Sequence, residues 1–158
     1  MLALKYLALL LVTLAFRFVP HPANFELVIP LMLPLSQKDR LAGAVFGPLC
    51  VITLDFFTGK LGAWTIYTSL AFVLVSLAPL SGSFVKRGIL ATLVYDSVTA
   101  AIFGVQFGQG FWQTALGQVP FTLNHLLSST ILCSLVSPLA LVWLEGEDAA
   151  MRHLGVLS

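Results

Sequence analysis

Residues 41–59 of the chain read LAGAVFGPLCVITLDFFTG, an apolar stretch interrupted by a single charged residue, Asp55. A run of about 20 mostly apolar residues is long enough to cross a lipid bilayer as a helix. An open strand would leave backbone polar groups unpaired in lipid, so the helix is the natural conformation for such a run. We therefore predict a membrane-spanning helix here, and similar apolar runs lie on both sides of it.

The composition of the whole chain favours a membrane protein. Of its 158 residues, 58% are apolar and 9% are charged, and the mean hydropathy is +0.97. Soluble domains carry roughly 25% charged residues, so this chain has too few charges to cover a surface in water. The net charge of +1 excludes a polybasic nucleic-acid binder, and the composition excludes a disordered chain or a disulfide scaffold.

Apolar runs separated by turn residues predict six helices, and no linker divides them. We expect an all-α membrane protein, a compact bundle of six transmembrane helices forming one integral membrane domain over residues 1–158. The second run contains Pro30 and Pro34 and rises only about 18 Å. It either spans the membrane or re-enters it, which would leave five spans plus one re-entrant helix. The predicted segments are 2–19, 25–36, 41–58, 62–80, 86–106 and 118–144.

The basic residues are distributed unevenly between the predicted loops. Cytoplasmic loops of membrane proteins carry an excess of Lys and Arg. Whether the second segment spans or re-enters, this rule places turns 37–40 and 81–87 in the cytoplasm and loops 59–61 and 107–117 outside. We expect a multi-pass protein of the cell inner (plasma) membrane. With six spans, six basic residues lie inside and two outside, namely Lys5, Lys38, Arg40, Lys86, Arg87 and Arg152 against Arg17 and Lys60.

Polar side chains recur at helical spacing inside two of the predicted helices. Polar groups are costly in lipid, so we expect both stripes to face the interior of the bundle. Asp96 lies near the middle of its span and is expected to be protonated or paired. The stripes consist of Gln118, Thr122, His125 and Ser129 in the last segment and Thr92, Asp96, Thr99 and Gln106 in the fifth.

Polar and aromatic residues near the predicted outer side suggest a binding site for a small molecule. Loop 106–118 is uncharged and interleaves glutamines with aromatic residues, as a lid over a polar, ring-containing molecule needs. In the first connection Asn24 can cap the helix that follows. Charges of both signs near the mouth, from Arg17, Glu26, Asp55 and Lys60, favour a neutral or zwitterionic ligand. We expect one outward-opening cavity whose ligand contacts are His21, Asp55, Trp64, Tyr67, Gln109, Trp112, Asn124 and His125.

Structural roles are the alternatives for these residues. Asp55 can pair with Lys60 or cap a turn. The aromatic side chains of Trp64, Tyr67 and Trp112 can form an interfacial belt. Asp96 and His125 can belong to a hydrogen-bonded packing network. The sequence leaves these alternatives open.

Motifs for catalysis and metal binding are missing from the sequence. It has no H-E-x-x-H, no G-x-S-x-G and no phosphate-binding glycine loop. Cys50 and Cys133 lie far apart in apolar runs, and we interpret both as small core residues. Gly43 and Gly47 have the spacing that lets helices approach closely. We expect a protein that is not an enzyme and that has no cofactor and no metal.

These features resemble the substrate-binding S components of energy-coupling-factor (ECF) transporters. The resemblance rests on the size of the chain and on three stretches, R-F-V-P-H-P-A-N-F from Arg17 to Phe25, the run from Gly43 to Gly59, and P-F-T-L-N-H-L from Pro120 to Leu126. It implies a six-helix bundle in the bilayer that holds a vitamin-like micronutrient near the extracellular face. It also implies a transmembrane coupling subunit and two ATPase subunits as partners, and no nucleic acid.

The third segment supports an alternative from another functional class. Asp55 near its end and Gly62 after it also resemble the MreD-like rod-shape-determining proteins, which are membrane scaffolds of the cell-wall machinery. A scaffold has no need for polar stripes that converge with an amide-and-aromatic loop, whereas a ligand pocket does. We therefore favour uptake of a small, neutral or zwitterionic micronutrient.

Overall fold

The computed structural model of the chain describes residues 2–22, 24–106, 108–147 and 151. Every regular element within these residues is a helix, and none of them forms a strand, so the all-helical prediction with six helices is confirmed. In chain order the helices are α1 (Leu2–Phe16), α2 (Val28–Lys38), α3 (Arg40–Thr58), α4 (Ala63–Leu77), α5 (Phe84–Gln106) and α6 (Phe111–Glu145).

Two of the helices are long and apolar enough to cross a membrane. They are α3, with 19 residues, and α6, with 35 residues. The apolar helices α1 and α4 have 15 residues each, which corresponds to about 22 Å of rise. By length and composition, α3 and α6 indicate association with a membrane.

Helix α2 lies at the centre of the fold. All of its residues from Val28 to Leu35 are buried, and it packs against α3, α4, α5 and α6. Its 11 residues rise about 16 Å, roughly half the thickness of a hydrocarbon core. Pro34 is tolerated inside this short helix. The apolar run with two prolines is therefore an internal helix that is surrounded by the longer ones.

Helices α5 and α6 form an antiparallel hairpin in which the two predicted polar stripes face each other. Thr92 Oγ1 and Ser129 Oγ are 2.5 Å apart, and one turn further along His125 Nδ1 donates to Asp96 Oδ1 at 2.9 Å. All four residues are buried. The prediction that the stripes point into the bundle, with Asp96 paired, is confirmed for these residues.

Small residues allow α3 to approach its neighbours closely. A Cβ atom at Gly47 would lie 2.6 Å from Phe72 Cβ on α4, and one at Gly43 would clash with Ser36 on α2. These contacts confirm close packing at the predicted small-residue spacing. Cys50, on the same helix, is fully buried and unpaired, as is Cys133 on α6, which matches their interpretation as core residues.

The basic residues separate to the two ends of the bundle as predicted. At one end Lys5 Nζ donates to the carbonyl oxygen of Trp143 at 2.6 Å, and Lys38 lies 3.9 Å from Glu145. The opposite end carries Arg17 and Lys60. Arg152 lies outside the described residues.

Two local predictions are wrong. Loop 107–117 is mostly helical, because α6 begins at Phe111 and continues through Pro120. Gly110 precedes the first turn, and its carbonyl oxygen accepts from the backbone N–H of Thr114 at 3.1 Å. Asn24 does not cap α2, which starts after Leu27 without a side-chain cap. The side chain of Asn24 instead donates to the carbonyl oxygen of Phe121 at 3.4 Å, which links the first connection to α6.

Candidate functional site

A cleft of about 180 Å³ opens at the end of the bundle that carries Arg17 and Lys60. Its walls come from the end of α1, the connection before α2, the last turns of α3, and the facing sides of α4 and α5. We refer to it as the charged cleft, because four charged side chains line it together with five aromatic rings. The charged residues are Arg17, Glu26, Asp55 and Lys60, and the aromatic ones are Phe16, Phe25, Trp64, Phe72 and Tyr95.

The charges at the cleft are balanced, two of each sign. Arg17 Nη1 donates to Glu26 Oε1 at 3.1 Å, and both side chains remain partly exposed. Asp55 Oδ2 accepts from Thr65 Oγ1 at 2.5 Å, which holds the carboxylate between α3 and α4. Lys60 enters the cleft from the α3–α4 turn. Such a set of donors and acceptors suits a small molecule that carries both polarities.

The inner end of the cleft is aromatic. The rings of Phe72 on α4 and Tyr95 on α5 are stacked with their centroids 4.6 Å apart and their planes at 27°. Trp64 stands nearer the mouth, with 41% of its surface exposed. The cleft therefore combines charged groups at its entrance with flat apolar surfaces deeper inside, an arrangement found in small-molecule sites.

A second cavity, of about 520 Å³, lies between α5 and α6. We call it the α5–α6 cavity. Asp96 lines it at one end, and Gly104 lines it near the α5–α6 connection. A Cβ atom at Gly104 would lie 2.6 Å from Thr114 Oγ1, so the two helices nearly touch there. The other side chains that line the α5–α6 cavity are mostly small or apolar, and Gln109 and Gln118 contribute amide groups.

The Asp96–His125 pair lies between the two cavities. Asp96 is 1% exposed and His125 is 4% exposed. The imidazole ring makes edge-on contacts with Tyr95 and Phe121, with centroids 5.8 Å and 5.9 Å apart. Since Tyr95 lines the charged cleft, His125 lies behind the aromatic wall and not at the open surface of the cleft.

The structure brings together only part of the predicted site. Asp55 and Trp64 meet in the charged cleft, whereas Gln109 lines the α5–α6 cavity. His125 is buried next to the cleft wall. Tyr67 is half-buried on α4 and lines neither cavity. The single outward-opening cavity predicted from the sequence is thus two separate spaces.

Three predicted contact residues lie elsewhere. Trp112 is 75% exposed and packs edge-on against Phe111. Asn124 is exposed on the outside of α6. His21 folds back towards the end of α1. Its Nδ1 donates to the carbonyl oxygen of Val19 at 2.5 Å, and its ring lies 4.9 Å from that of Phe16, the last residue of α1. A role for these residues in ligand binding stays a prediction.

Sequence reasoning missed the aromatic floor of the cleft. Tyr95 was absent from the predicted contacts, and so was Phe72. The signal available for Tyr95 is its position directly before Asp96, inside an otherwise apolar helix. Arg17, Glu26 and Lys60 were recognised only as charges near the mouth, and the structure places all three in the wall.

The two cavities are lined by charged, amide and aromatic side chains that can contact a small molecule. Within the described ranges, no cluster of three or more His, Cys, Asp and Glu side chains could hold a metal ion.

Comparisons of the chain with protein-family models, with curated proteins and with solved structures found no match.

Proposed function

We infer that the chain is a membrane-embedded substrate-binding subunit for uptake of a small, vitamin-like micronutrient, which it holds in the charged cleft. The observation that carries this proposal is the convergence of four of the chain's few charged side chains on one aromatic-floored cleft. The charges come from separate parts of the sequence, Arg17, Glu26, Asp55 and Lys60. A packing role does not require charges from two connections and from the last turn of α3 to meet at one opening.

The distribution of polar and apolar residues supports a position in the bilayer. Leucines on the outer faces of the helices are exposed, for example Leu4 and Leu139 at 70% each. Hydroxyl groups and the Asp96–His125 pair are buried inside. Water-soluble proteins rarely expose large apolar patches, whereas polar groups of membrane helices face the interior of the bundle. We therefore propose a multi-pass arrangement in the cell membrane, with the charged cleft at the outer face.

Charge and volume restrict the ligand. Arg17 and Lys60 can bind a carboxylate or another acceptor, while Glu26 and Asp55 can bind a donor, so a neutral or zwitterionic molecule is matched. The cleft volume of about 180 Å³ is smaller than the roughly 300–1,000 Å³ of typical ligand pockets. The molecule is thus small, with a flat portion that can stack on Tyr95 or Trp64.

The energy for uptake would come from other subunits. As the resemblance to S components of ECF transporters implies, a transmembrane coupling subunit and two ATPase subunits are the expected partners. The charged cleft then serves binding, and transport follows from the partners' cycle. An MreD-like scaffold is the alternative function, and it predicts no retained small molecule.

Native mass spectrometry of the gently purified protein tests the proposal. The protein is first incubated with the small-molecule fraction of a cell extract, so that an unoccupied site can fill. We expect a bound mass that is lost in the Arg17→Gln, Asp55→Asn double variant. The control neutralises the ion pair at the opposite end with Lys38→Gln and Glu145→Gln, and it should retain the mass. Retention in the cleft variant, or no bound mass in the native chain, contradicts the proposal.

A further inference from the structure

A third cavity lies at the opposite end of the bundle from the charged cleft and contains a concentration of positive charge. It has a volume of about 360 Å³ and is bordered by the ends of α2 and α4, the starts of α3 and α5, and the α4–α5 connection. Two arginines line it, Arg40 and Arg87, together with the hydroxyl groups of Ser36, Ser76 and Ser81. We propose that this basic cavity is a binding site for a phosphate group.

The charge of Arg87 is not neutralised by its protein contacts. Nη1 donates to Gln37 Oε1 at 2.5 Å and Nη2 donates to the carbonyl oxygen of Leu33 at 3.2 Å. Its Nε atom is enclosed and has no hydrogen-bond partner in the part of the chain that the structure describes. Both acceptors are neutral, so the half-buried guanidinium keeps a full positive charge. A buried charge without a counter-ion is costly, and an anion in the cavity would reduce that cost.

Two carboxylates at this end of the bundle contact other groups and do not line the cavity. Asp39 stands beside Arg40 in the chain, but its Oδ1 accepts from the backbone N–H of Leu41 at 2.9 Å and starts α3. Glu145 lies 3.9 Å from Lys38. Among the described residues, neither arginine of the cavity forms an ion pair with a carboxylate. The cavity is therefore formally doubly positive and has no acidic residue in its lining.

The donor set suits phosphate better than a single carboxylate. Guanidinium groups bind the oxygens of phosphate in pairs, and serine hydroxyls add further donors. Two positive charges match a phosphate monoester, which carries nearly two negative charges at neutral pH. The volume of about 360 Å³ lies within the roughly 300–1,000 Å³ of ligand pockets, so it leaves room for a substituent on the phosphate. The group can belong to a lipid headgroup, which basic pockets between membrane helices bind, or to a soluble phosphate compound.

Calorimetric titration of the purified full-length chain with inorganic phosphate tests the site. We expect the dissociation constant to rise at least tenfold in Arg40→Gln, which neutralises an exposed side chain. Arg87→Lys keeps the charge but removes the paired donors, and it should weaken binding as strongly. The matched control is Lys86→Gln, an equal loss of charge on an exposed neighbour outside the cavity lining, which should stay within twofold.

A second arm distinguishes the two sources of phosphate. Native mass spectrometry after incubation with vesicles of phosphatidic acid in phosphatidylcholine measures lipid retained by each variant. Retention that requires Arg40, without phosphate binding in the calorimeter, assigns the site to a lipid headgroup. Phosphate binding without lipid retention assigns it to a soluble compound.

An uncharged blocking variant protects the test against misfolding. Ser81→Trp adds an indole ring at an exposed position in the cavity wall, so the fold need not change. Its thermal unfolding should equal that of the native chain, while phosphate and lipid binding should both be lost. The proposal is overturned if binding persists in Ser81→Trp, if Lys86→Gln weakens it as much as Arg40→Gln, or if neither ligand binds the native chain.

Discussion

Replacing His125 by leucine would remove the partner of a buried carboxylate without leaving a large void. In the native chain Asp96 is 1% exposed, its Oδ1 accepts from His125, and its Oδ2 has no hydrogen-bond partner among the described residues. The variant would leave both oxygens unsatisfied in the interior. Leaving a buried polar group without its partner costs about 1–3 kcal/mol, and more when the group is charged, whereas a neutral hydrogen bond between membrane helices contributes about 0.6 kcal/mol. We expect His125→Leu to lower the free energy of unfolding by the larger of these two amounts.

A double-mutant cycle separates the pair from the packing around it. Asp96→Leu combined with His125→Leu replaces both partners by apolar groups, and the space next to Asp96 in the α5–α6 cavity can take the added volume. This double variant should lie within about 1 kcal/mol of the native chain, since apolar replacement of a buried pair is often neutral. The coupling energy between the two sites should then be at least about 2 kcal/mol.

The neighbouring hydrogen bond provides a matched control in the same helix interface. Thr92→Val and Ser129→Ala remove a buried bond of 2.5 Å between neutral hydroxyl groups. Their cycle should give a coupling energy of about 0.6 kcal/mol. Equilibrium unfolding with sodium dodecyl sulfate, followed by circular dichroism in mild detergent, measures all of these variants. Equal coupling in the two cycles, or a cost below about 1 kcal/mol for His125→Leu, would refute the account of the pair.

Three further predictions concern stability. Gly47→Leu should lower the free energy of unfolding by about 1–3 kcal/mol, because its Cβ would lie 2.6 Å from Phe72. Gly117→Ala has open space around it and should raise the free energy of unfolding by up to about 1 kcal/mol. Thermal unfolding compares the two variants. Lys5→Met removes a cation that caps the end of α6 and should cost about 0.5–1 kcal/mol in the same measurement. Arg17→Gln breaks an exposed ion pair and should change stability by less than about 1 kcal/mol while still weakening retention of the cleft ligand.

The helices could be predicted from the sequence because each is a nearly continuous apolar run. The beginning of α6 could not. Gly117 and Pro120 both favour the end of a helix, and together they made residues 107–117 resemble a loop. In the structure α5 packs alongside this part of α6, and the close approach of Gly104 to Thr114 holds the two helices together. Tertiary contacts thus outweigh the local preference of two residues.

The candidate site could be predicted only as a set of residue types near one end of the bundle. Asp55 and Trp64 are brought together because α3 and α4 are joined by a short turn, which local sequence does reveal. The positions of the His21 and Trp112 side chains depend on the orientation of a connection and of a helix end. The sequence pattern holds no information about these orientations. The partners of Arg87 come from α2, 50 and 54 positions away, so spacing could not reveal the basic cavity.

The division of the predicted cavity into two follows from the geometry of one helix. Tyr95 and Asp96 are consecutive on α5, and consecutive residues of an α-helix point in directions about 100° apart. Tyr95 therefore lines the charged cleft while Asp96 lines the α5–α6 cavity. A polar stripe indicates which face of a helix is turned inward, but the inward face of a central helix is wide enough to border two spaces. Two stripes that face each other can consequently close on themselves, as Asp96 and His125 do, so that the proposed ligand binding falls to charged residues of α3 and of two connections.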